Sequence, residues 1–306
     1  MSEASARGGH PGRALLRGVI TALLLAVVAG CASSRTRPEP EAMSVVTLNL
    51  WHDRNDWARR QALIADELSR LQPDAVLLQE VLQDAGLPNQ AQSLAQRLGY
   101  HWHFVSVDAP GRARRYGNAI LTREPMIRRG ARALQPASDY RIAGWVRTTV
   151  RGHALDLYVT HLNFTDASGA TRERQVRDLM DFVAATSGGG AVVIGGDFNT
   201  PASSAEMTPL RESFVDAYAA AHDPADVDGT AHATLNARFN PPARIDRIYV
   251  SGSAFCRPQA RRLFDRPDVD GTWASDHFGV WARMQWRLDG RCAQPVDDTR
   301  GELPRQ

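Results

Sequence analysis

Gly195-Gly196-Asp197-Phe198-Asn199 follows an apolar run at residues 191–194 that we predict to be a short central strand. Taken alone, the two glycines and the aspartate could form only a tight turn with an Asx hydrogen bond. However, polar residues also lie at the ends of other predicted strands. They are Asn49, Glu80 and His161, in addition to Asp197 and Asn199. Asp246 begins a predicted strand, and Asp276-His277 precedes another. Because strand ends lie at the edge of a core, these side chains can converge on one site.

The hydrophobic pattern predicts several strands and three helices. The predicted strands span residues 45–50, 75–78, 103–107, 118–121, 145–150, 155–160, 191–194, 245–250 and 278–286. The predicted helices span residues 59–71, 90–98 and 171–185, and Gly99 is expected to cap the second. Several strands follow one another without an intervening helix. The sheets are therefore expected to be partly antiparallel, which disfavours a simple doubly wound sheet.

Composition sets broad limits on the function. Hydrophobic residues make up 43% of the 306-residue chain and charged residues 23%, which is enough for a sizeable core. The net charge of +2 is too small to indicate nucleic-acid binding by itself. The chain has no Gly-x-Ser-x-Gly motif for a serine nucleophile. It also lacks histidines and cysteines at the spacing of a structural zinc site.

The first residues have the pattern of an export signal. Three arginines, Arg7, Arg13 and Arg17, precede an apolar run at residues 19–29. Val28-Ala29-Gly30-Cys31 resembles a bacterial lipobox, and cleavage there would leave Cys31 as the first residue, acylated with palmitate. A plain signal peptide and an uncleaved anchor are the alternatives. A lipid anchor would place the protein in the bacterial cell envelope, at the outer membrane or the periplasmic face.

We therefore divide the chain into four parts. Residues 1–30 are the predicted lipoprotein signal peptide, 31–42 a flexible tether, 43–287 the folded domain and 288–306 a tail. An oxidising compartment would allow Cys256 and Cys292 to form a disulfide, although two unpaired thiols fit the sequence as well.

Taken together, seven segments resemble the endonuclease/exonuclease/phosphatase family and occur in that family's order over residues 43–287. They are Thr47-Leu48-Asn49, Leu78-Gln79-Glu80, Gly117-Asn118-Ala119-Ile120, Val159-Thr160-His161-Leu162-Asn163, Gly195-Gly196-Asp197-Phe198-Asn199, Arg244-Ile245-Asp246-Arg247-Ile248 and Ser275-Asp276-His277. The resemblance implies an α/β (α+β) fold, a four-layer αββα sandwich of two mixed β-sheets flanked by helices. It also implies hydrolysis of phosphoesters.

The residue types suggest a metal site. Hard oxygen ligands suit Mg²⁺, with Mn²⁺ or Ca²⁺ as alternatives. Glu80 is the first predicted ligand, and Asn49 and Asp276 are expected beside it. The cation would neutralise the phosphate and stabilise the leaving oxygen.

A second group of residues is predicted to handle protons. Asp246 and His277 form a carboxylate–imidazole dyad, with His277 as the general base for the attacking water. Asp197 would hold that water and Asn199 a phosphoryl oxygen. His161 would bind phosphate or donate a proton to the leaving group.

Position 161 also bears on the branch of the family. Abasic-site repair members carry Tyr there, whereas secreted DNases and sphingomyelinases carry His, so His161 favours the DNase I-like and sphingomyelinase-like branch. In the DNases a carboxylate supports this His from near the Gly-Asn-Ala-Ile segment, but here Arg114 and Arg115 occupy that neighbourhood. Arg115 is therefore predicted to bind the anionic substrate, together with Asn118 and Asn163. The basic stretch before Gly117, Arg112-Ala113-Arg114-Arg115-Tyr116, could equally be a solvated loop.

The substrate is predicted to be a phosphoester in a nucleic acid, a phospholipid or a small molecule, cleaved by a phosphodiesterase, nuclease or phosphatase activity. Membrane contact would occur through the N-terminal lipid, and no obligate protein partner is expected. The alternative is a non-catalytic, lipid-tethered binding or scaffolding protein. A protein that had lost activity should also have lost some of the polar positions, and their retention favours the enzyme.

Overall fold

The computed structural model describes residues 42–292. The predicted signal peptide, the lipidation site Cys31 and most of the tether lie outside these residues, as does the tail from residue 293 onward. No helix within 42–292 is both long enough and apolar enough to cross a membrane. The first strand begins at Ala42, the last residue of the predicted tether.

Within residues 42–292, twelve strands form two mixed sheets of six strands each. The strands are β1 Ala42–Asn49, β2 Ala75–Gln83, β3 His101–Val105, β4 Arg115–Thr122, β5 Arg128–Ala133, β6 Ile142–Val150, β7 His153–His161, β8 Ala191–Asp197, β9 Val215–Asp216, β10 Asp246–Val250, β11 Phe255–Leu263 and β12 Gly279–Trp286. The first sheet has the order β11-β12-β1-β2-β4-β3 and the second β5-β6-β7-β8-β10-β9.

Helices cover the outer faces of both sheets. They are α1 Trp57–Leu71, α2 Gln90–Leu98, α3 Ala170–Thr186 and the short α4 Thr208–Ser213. Ile64 of α1 and Leu94 of α2 pack with one face of the first sheet, and Leu179 of α3 packs with the second sheet. The opposite faces meet in a shared core that includes Leu77 and Val193. The predicted four-layer αββα sandwich is confirmed.

Burial on both faces explains why the central strands are continuous apolar runs. In β2, Leu77 faces the core between the sheets while Val76 and Leu78 face the helices. The predicted helices and most predicted strands agree with the structure to within a few residues, and Gly99 caps α2 with a φ of 71°.

The sequence prediction missed β5, β9 and β11, which are all edge strands. β9 has only two residues, and β5 and β11 contain three arginines each and have exposed faces with no apolar period. Cys256 of β11 forms a disulfide with Cys292, which resolves the question that the sequence left open. This bond joins the segment after β12 to the edge of the first sheet.

A buried arginine holds the loop between β1 and α1. The guanidinium of Arg60 donates hydrogen bonds to six backbone carbonyl oxygens, at distances from 2.6 to 3.3 Å. The acceptors are Leu50, Trp51, His52, Arg54, Asn55 and Ala274. One side chain therefore fixes both the loop after β1 and the segment before β12.

We expect Arg60→Lys to lower the free energy of unfolding by about 3 kcal/mol or more, because an ammonium group has three donors and leaves buried carbonyls without partners. Arg70→Lys is the matched control, since this side chain is 74% exposed and only pairs with Glu67. Its effect should stay within about 0.5 kcal/mol. Equal urea midpoints for the two variants would contradict this account of Arg60.

Candidate active site

Two polar residues lie at the carboxyl ends of the parallel strands β1 and β2. Asn49 is the last residue of β1 and pairs in register with Gln79. Glu80 follows at a β-bulge between Leu78 and Val81, and its φ of 56° is one that glutamate seldom adopts. A bulge changes the direction of a side chain, and such strained residues cluster at functional sites.

The second sheet places three more residues side by side on adjacent strands. β7 and β8 run parallel with His161 opposite Asp197, and β8 and β10 run antiparallel with Asp197 opposite Asp246. All three side chains are buried. Strand register alone therefore brings together residues that are far apart in the sequence.

The segment that carries Asp276 and His277 is tied to the end of β1. Ser275 Oγ donates a hydrogen bond to the carbonyl oxygen of Asn49 at 2.7 Å. The backbone N–H of Asn236 donates to the carbonyl oxygen of Asp276 at 2.9 Å. These bonds place Asp276 and His277 beside the ends of the strands of both sheets.

A hydrogen bond connects the two sheets at the site. Asn49 Nδ2 donates to Asp197 Oδ2 at 3.1 Å, while Asn49 Oδ1 accepts the N–H of Trp51 at 3.0 Å. Asp197 Oδ1 accepts the backbone N–H of Asn199 at 2.9 Å. The carboxylate of Asp197 is thus oriented from both sides before any substrate binds.

Asp246 and His277 form the predicted dyad. His277 Nδ1 lies 2.9 Å from Asp246 Oδ2, and His277 Nε2 faces Asp197 Oδ2 at 3.9 Å. Burial lowers the pKa of His277, but the charge and hydrogen bond of Asp246, with the charges of Asp197 and Asp276, raise this pKa to about 10. The carboxylates therefore stabilise an imidazolium at His277.

The pKa values of the neighbouring residues Asp197 and His161 are shifted in opposite directions. Burial and the negative charge of Asp246 raise the pKa of Asp197 to about 7. Burial and the positive charge of Arg141 lower the pKa of His161 well below its ordinary value. His161 is therefore neutral at pH 7, with Nε2 at 3.5 Å from Asp197 Oδ2.

Glu80 stays ionised in a partly buried position. Burial would raise the pKa of Glu80, but the hydrogen bond from His52 and the positive charge of His277 lower this pKa to about 2. Burial raises the pKa of Asp276, to which the negative charge of Glu80 also contributes. Carboxylates that repel each other across a buried space, beside the amide oxygen of Asn49, fit the donor set of a hard divalent cation.

A second group could also hold a cation. Ligand atoms of Asp197, Asp246 and His277 all lie within 4.8 Å of one another. Two of these residues already share the hydrogen bond between Nδ1 and Oδ2, which occupies one potential ligand atom of each. Glu80 and Asp276 are therefore the candidate cation ligands, and this second group is the candidate for handling protons.

The asparagines predicted to bind substrate make bonds within the protein. Asn118 Nδ2 donates to the carbonyl oxygen of Ile142 at 2.7 Å. Asn163 Nδ2 donates to Asp139 Oδ1, and Asn163 Oδ1 accepts the N–H of Asp166, both at 2.7 Å. These bonds hold the loops around the site, and substrate contact by either asparagine stays a prediction.

The basic stretch before Gly117 is divided between other partners. Arg115 lies over the ring of Phe104 at 4.9 Å, and Arg114 donates to Asp84 Oδ2 at 2.8 Å. The positive charge that acts on His161 comes instead from Arg141. Substrate binding by Arg115 also stays a prediction.

Three residues of the site were not predicted. Arg141 is buried, and its Nε has no hydrogen-bond partner within the described part of the chain. His52 Nε2 contacts Glu80 Oε2 at 3.0 Å, and burial together with the negative charge of Glu80 raises the pKa of the Tyr116 hydroxyl. Arg141 gave no signal among the 36 arginines, whereas His52 could have been suspected from its position just after β1.

The chain matches the family model described as "Endonuclease/Exonuclease/phosphatase family" over residues 46–277. This match covers every residue assigned above to the metal group and to the proton-handling group.

Individual relatives agree with this match. The chain is 24% identical over 256 residues to tyrosyl-DNA phosphodiesterase 2 of Gallus gallus, which covers 79% of this chain and 67% of that protein. A structure of D. rerio TDP2 complexed with single strand DNA product has a TM-score of 0.65 at 18% identity, covering 80% and 99% of the two chains. The human Nocturnin catalytic domain with bound sulfate anion has a TM-score of 0.65 at 20% identity, covering 80% and 94%.

The close packing of β7 against β8 gives a prediction about the site. A Cβ added at Gly196 would overlap the carbonyl oxygen of Thr160. Gly196 directly precedes Asp197, and Thr160 directly precedes His161. We expect Gly196→Ala to destabilise the fold by about 3 kcal/mol in urea unfolding. Gly111→Ala is the control, because a Cβ there meets nothing within 4 Å. A Gly196→Ala variant as stable as this control would show that β7 and β8 do not need to pack this closely at Gly196.

Proposed function

The chain belongs to the endonuclease/exonuclease/phosphatase family and is a phosphoester hydrolase, and we propose that it uses a divalent cation and a water activated by His277. The observation that carries the proposal is the arrangement of His277 between two carboxylates. Nδ1 bonds to Asp246, while Nε2 faces Asp197 across 3.9 Å. That gap is too long for a direct hydrogen bond and lets both groups bind one water.

His277 acts as the general base of the reaction. In the neutral form of the ring, Nε2 accepts a proton from the water, and Asp246 Oδ2 holds Nδ1–H so that Nε2 carries the lone pair. The carboxylates raise the pKa of His277 to about 10, so this neutral form is a minority at pH 7, and the positive charge of a cation beside Asp276 would increase its share by lowering the pKa. Asp197 Oδ2 accepts the other hydrogen of the water and directs its oxygen toward phosphorus. Burial of all three groups strengthens these interactions, since the local dielectric is low.

The phosphoryl group is bound on the opposite side by His161 and Arg141. His161 is neutral because of burial and the charge of Arg141, so it serves better as a hydrogen-bond donor to phosphate than as an acid. The guanidinium of Arg141 supplies positive charge, and its Nε makes no hydrogen bond within the described residues, although Asp139 Oδ2 lies 3.8 Å away. Asn199 Nδ2 donates one N–H to the Leu162 carbonyl and keeps its second N–H for a phosphoryl oxygen.

A divalent cation held by Glu80 and Asp276, with the amide oxygen of Asn49, would neutralise the phosphate and stabilise the leaving oxygen. Mg²⁺ is the expected ion, with Mn²⁺ or Ca²⁺ as alternatives. The ionised state of Glu80, whose pKa is held near 2, supports this role.

Among possible substrates, nucleic acid has the most support. The matched D. rerio protein is described as bound to a single strand DNA product, and the matched human domain holds a sulfate anion. Phospholipids and small phosphate esters are the other candidate substrates, and each is assayed separately below. His161 continues to favour the DNase I-like and sphingomyelinase-like branch.

Purified residues 32–306 should hydrolyse bis-p-nitrophenyl phosphate or single-stranded DNA in the presence of Mg²⁺, and EDTA should abolish the reaction. His277→Ala should lower kcat by about 10³-fold because the general base is lost. His101→Ala is the control, since His101 is exposed on an edge strand. If nucleic acid, sphingomyelin and the small ester all remain intact with every divalent cation, the proposal fails in favour of the scaffolding alternative.

We also propose that the protein is anchored in the bacterial envelope through a lipid on Cys31. The lipobox-like segment ending at Cys31 supports this anchor, and the Cys256–Cys292 disulfide supports an oxidising compartment. The domain would then reach its substrate from a tether ending near residue 42.

Cys31→Ser should move the full-length protein from the membrane fraction to the soluble fraction on cell fractionation, since the acylated residue is lost. Ser34→Ala, a change beside the lipobox, should leave the protein in the membrane fraction. A Cys31→Ser protein that stays in the membrane fraction would contradict lipidation at this residue.

A further inference from the structure

His52 touches the proposed metal ligand Glu80 directly. His52 Nε2 lies 3.0 Å from Glu80 Oε2, and the His52 side chain is 28% exposed. The mechanism above gives this imidazole no role. The Glu80 side chain is 18% exposed, so both groups are accessible to an ion that enters from solvent.

The core of the protein fixes the position of His52. Its carbonyl oxygen accepts hydrogen bonds from Arg60 Nη2 at 2.7 Å and from Gln90 Nε2 at 2.8 Å, and both donors belong to buried side chains. The backbone of His52 and of the preceding Trp51 has positive φ, 34° and 55°. A strained backbone held by buried donors is more than a surface ion pair would require.

His52 Nε2 donates a hydrogen bond to Glu80 Oε2 at 3.0 Å. Adjacent ligands of an octahedral ion with bonds of about 2.1 Å also lie about 3.0 Å apart, so this separation suits two ligands of one cation once the imidazole proton has moved from Nε2 to Nδ1. On the other side of the ring, His52 Nδ1 faces Asp53 Oδ1 at 3.9 Å. Imidazoles that bind metals commonly donate their second N–H to a carboxylate, and Asp53 would have to move closer to accept it.

We propose that His52 Nε2 is a ligand of the divalent cation held by Glu80, and that this nitrogen makes the site prefer Mn²⁺ to Mg²⁺. The inference rests on the proposed function, since that function places the cation at Glu80. Mg²⁺ takes oxygen ligands, whereas imidazole binds first-row transition metals well. The site therefore combines hard carboxylates with one nitrogen that discriminates between cations.

The direct test is pulsed electron paramagnetic resonance of Mn²⁺ bound to purified residues 32–306. The wild-type protein should show ¹⁴N coupling from a coordinated imidazole, and His52→Gln should lose this coupling while still binding Mn²⁺. His101→Gln, altered at an exposed histidine, should keep it. Calorimetry should show about 10- to 100-fold weaker Mn²⁺ binding for His52→Gln and at most a threefold change for Mg²⁺.

The outcomes separate this inference from the proposed function. Mn²⁺ bound to the wild type without ¹⁴N coupling would overturn the role of His52 and leave the cation at Glu80 intact. Coupling that persists in His52→Gln would also overturn it, because another histidine would then be the ligand. If the wild type binds no divalent cation, or if Glu80→Gln binds as tightly as the wild type, the metal site of the proposed function fails as well.

Discussion

The active-site end of this protein depends on one buried positive charge, the guanidinium of Arg60. Five of its six carbonyl acceptors lie in the loop after β1, which contains His52 and directly follows Asn49. The sixth acceptor, Ala274, lies in the segment before β12 that also contains Asp276. Burial lowers the pKa of Arg60, whereas the charge of Asp276 raises it, and the resulting value of about 10 leaves the side chain charged at pH 7. A helix that packs on the outside of a sheet thereby fixes the geometry of the site.

Within this frame, the site separates two tasks between the two sheets. The first sheet contributes Asn49 and Glu80, with Asp276 beside them, and offers oxygen atoms to a cation. The second sheet contributes His161, Asp197 and Asp246 in one row, with His277 facing them. The hydrogen bond from Asn49 to Asp197 joins the two groups. In the proposed mechanism, negative charge on one side holds a cation, and on the other it stabilises the imidazolium form of His277.

Much of this could be predicted from the sequence because strand ends carry clear signals. Continuous apolar runs followed by Asn49, Glu80, His161 and Asp197 identified both the sheets and the rim on which the site lies. The Asp246–His277 dyad followed from its motif and is present at 2.9 Å. The β-bulge that aims Glu80 could not be predicted, because its cause lies in the pairing of β2 with β4 rather than in a local turn signal.

Other features depend on tertiary contacts that leave no local pattern. Arg141 looks like any other arginine in the sequence, and only the fold buries it next to His161. Edge strands β5 and β11 were missed because a strand with one solvated face and many arginines has little apolar periodicity. Substrate binding by Arg115 stays a prediction, and the sequence did not show that the neighbouring Arg114 pairs with Asp84.

The central claim is that the cation and the proton-transfer groups occupy different sides of one site. Anomalous diffraction from crystals soaked in Mn²⁺ tests this claim most directly, because the ion can be located without reference to activity. The account predicts one strong peak bordered by Glu80 and Asp276, with the Asp246–His277 hydrogen bond preserved. A peak among Asp197, Asp246 and His277, with no peak at Glu80, would contradict it.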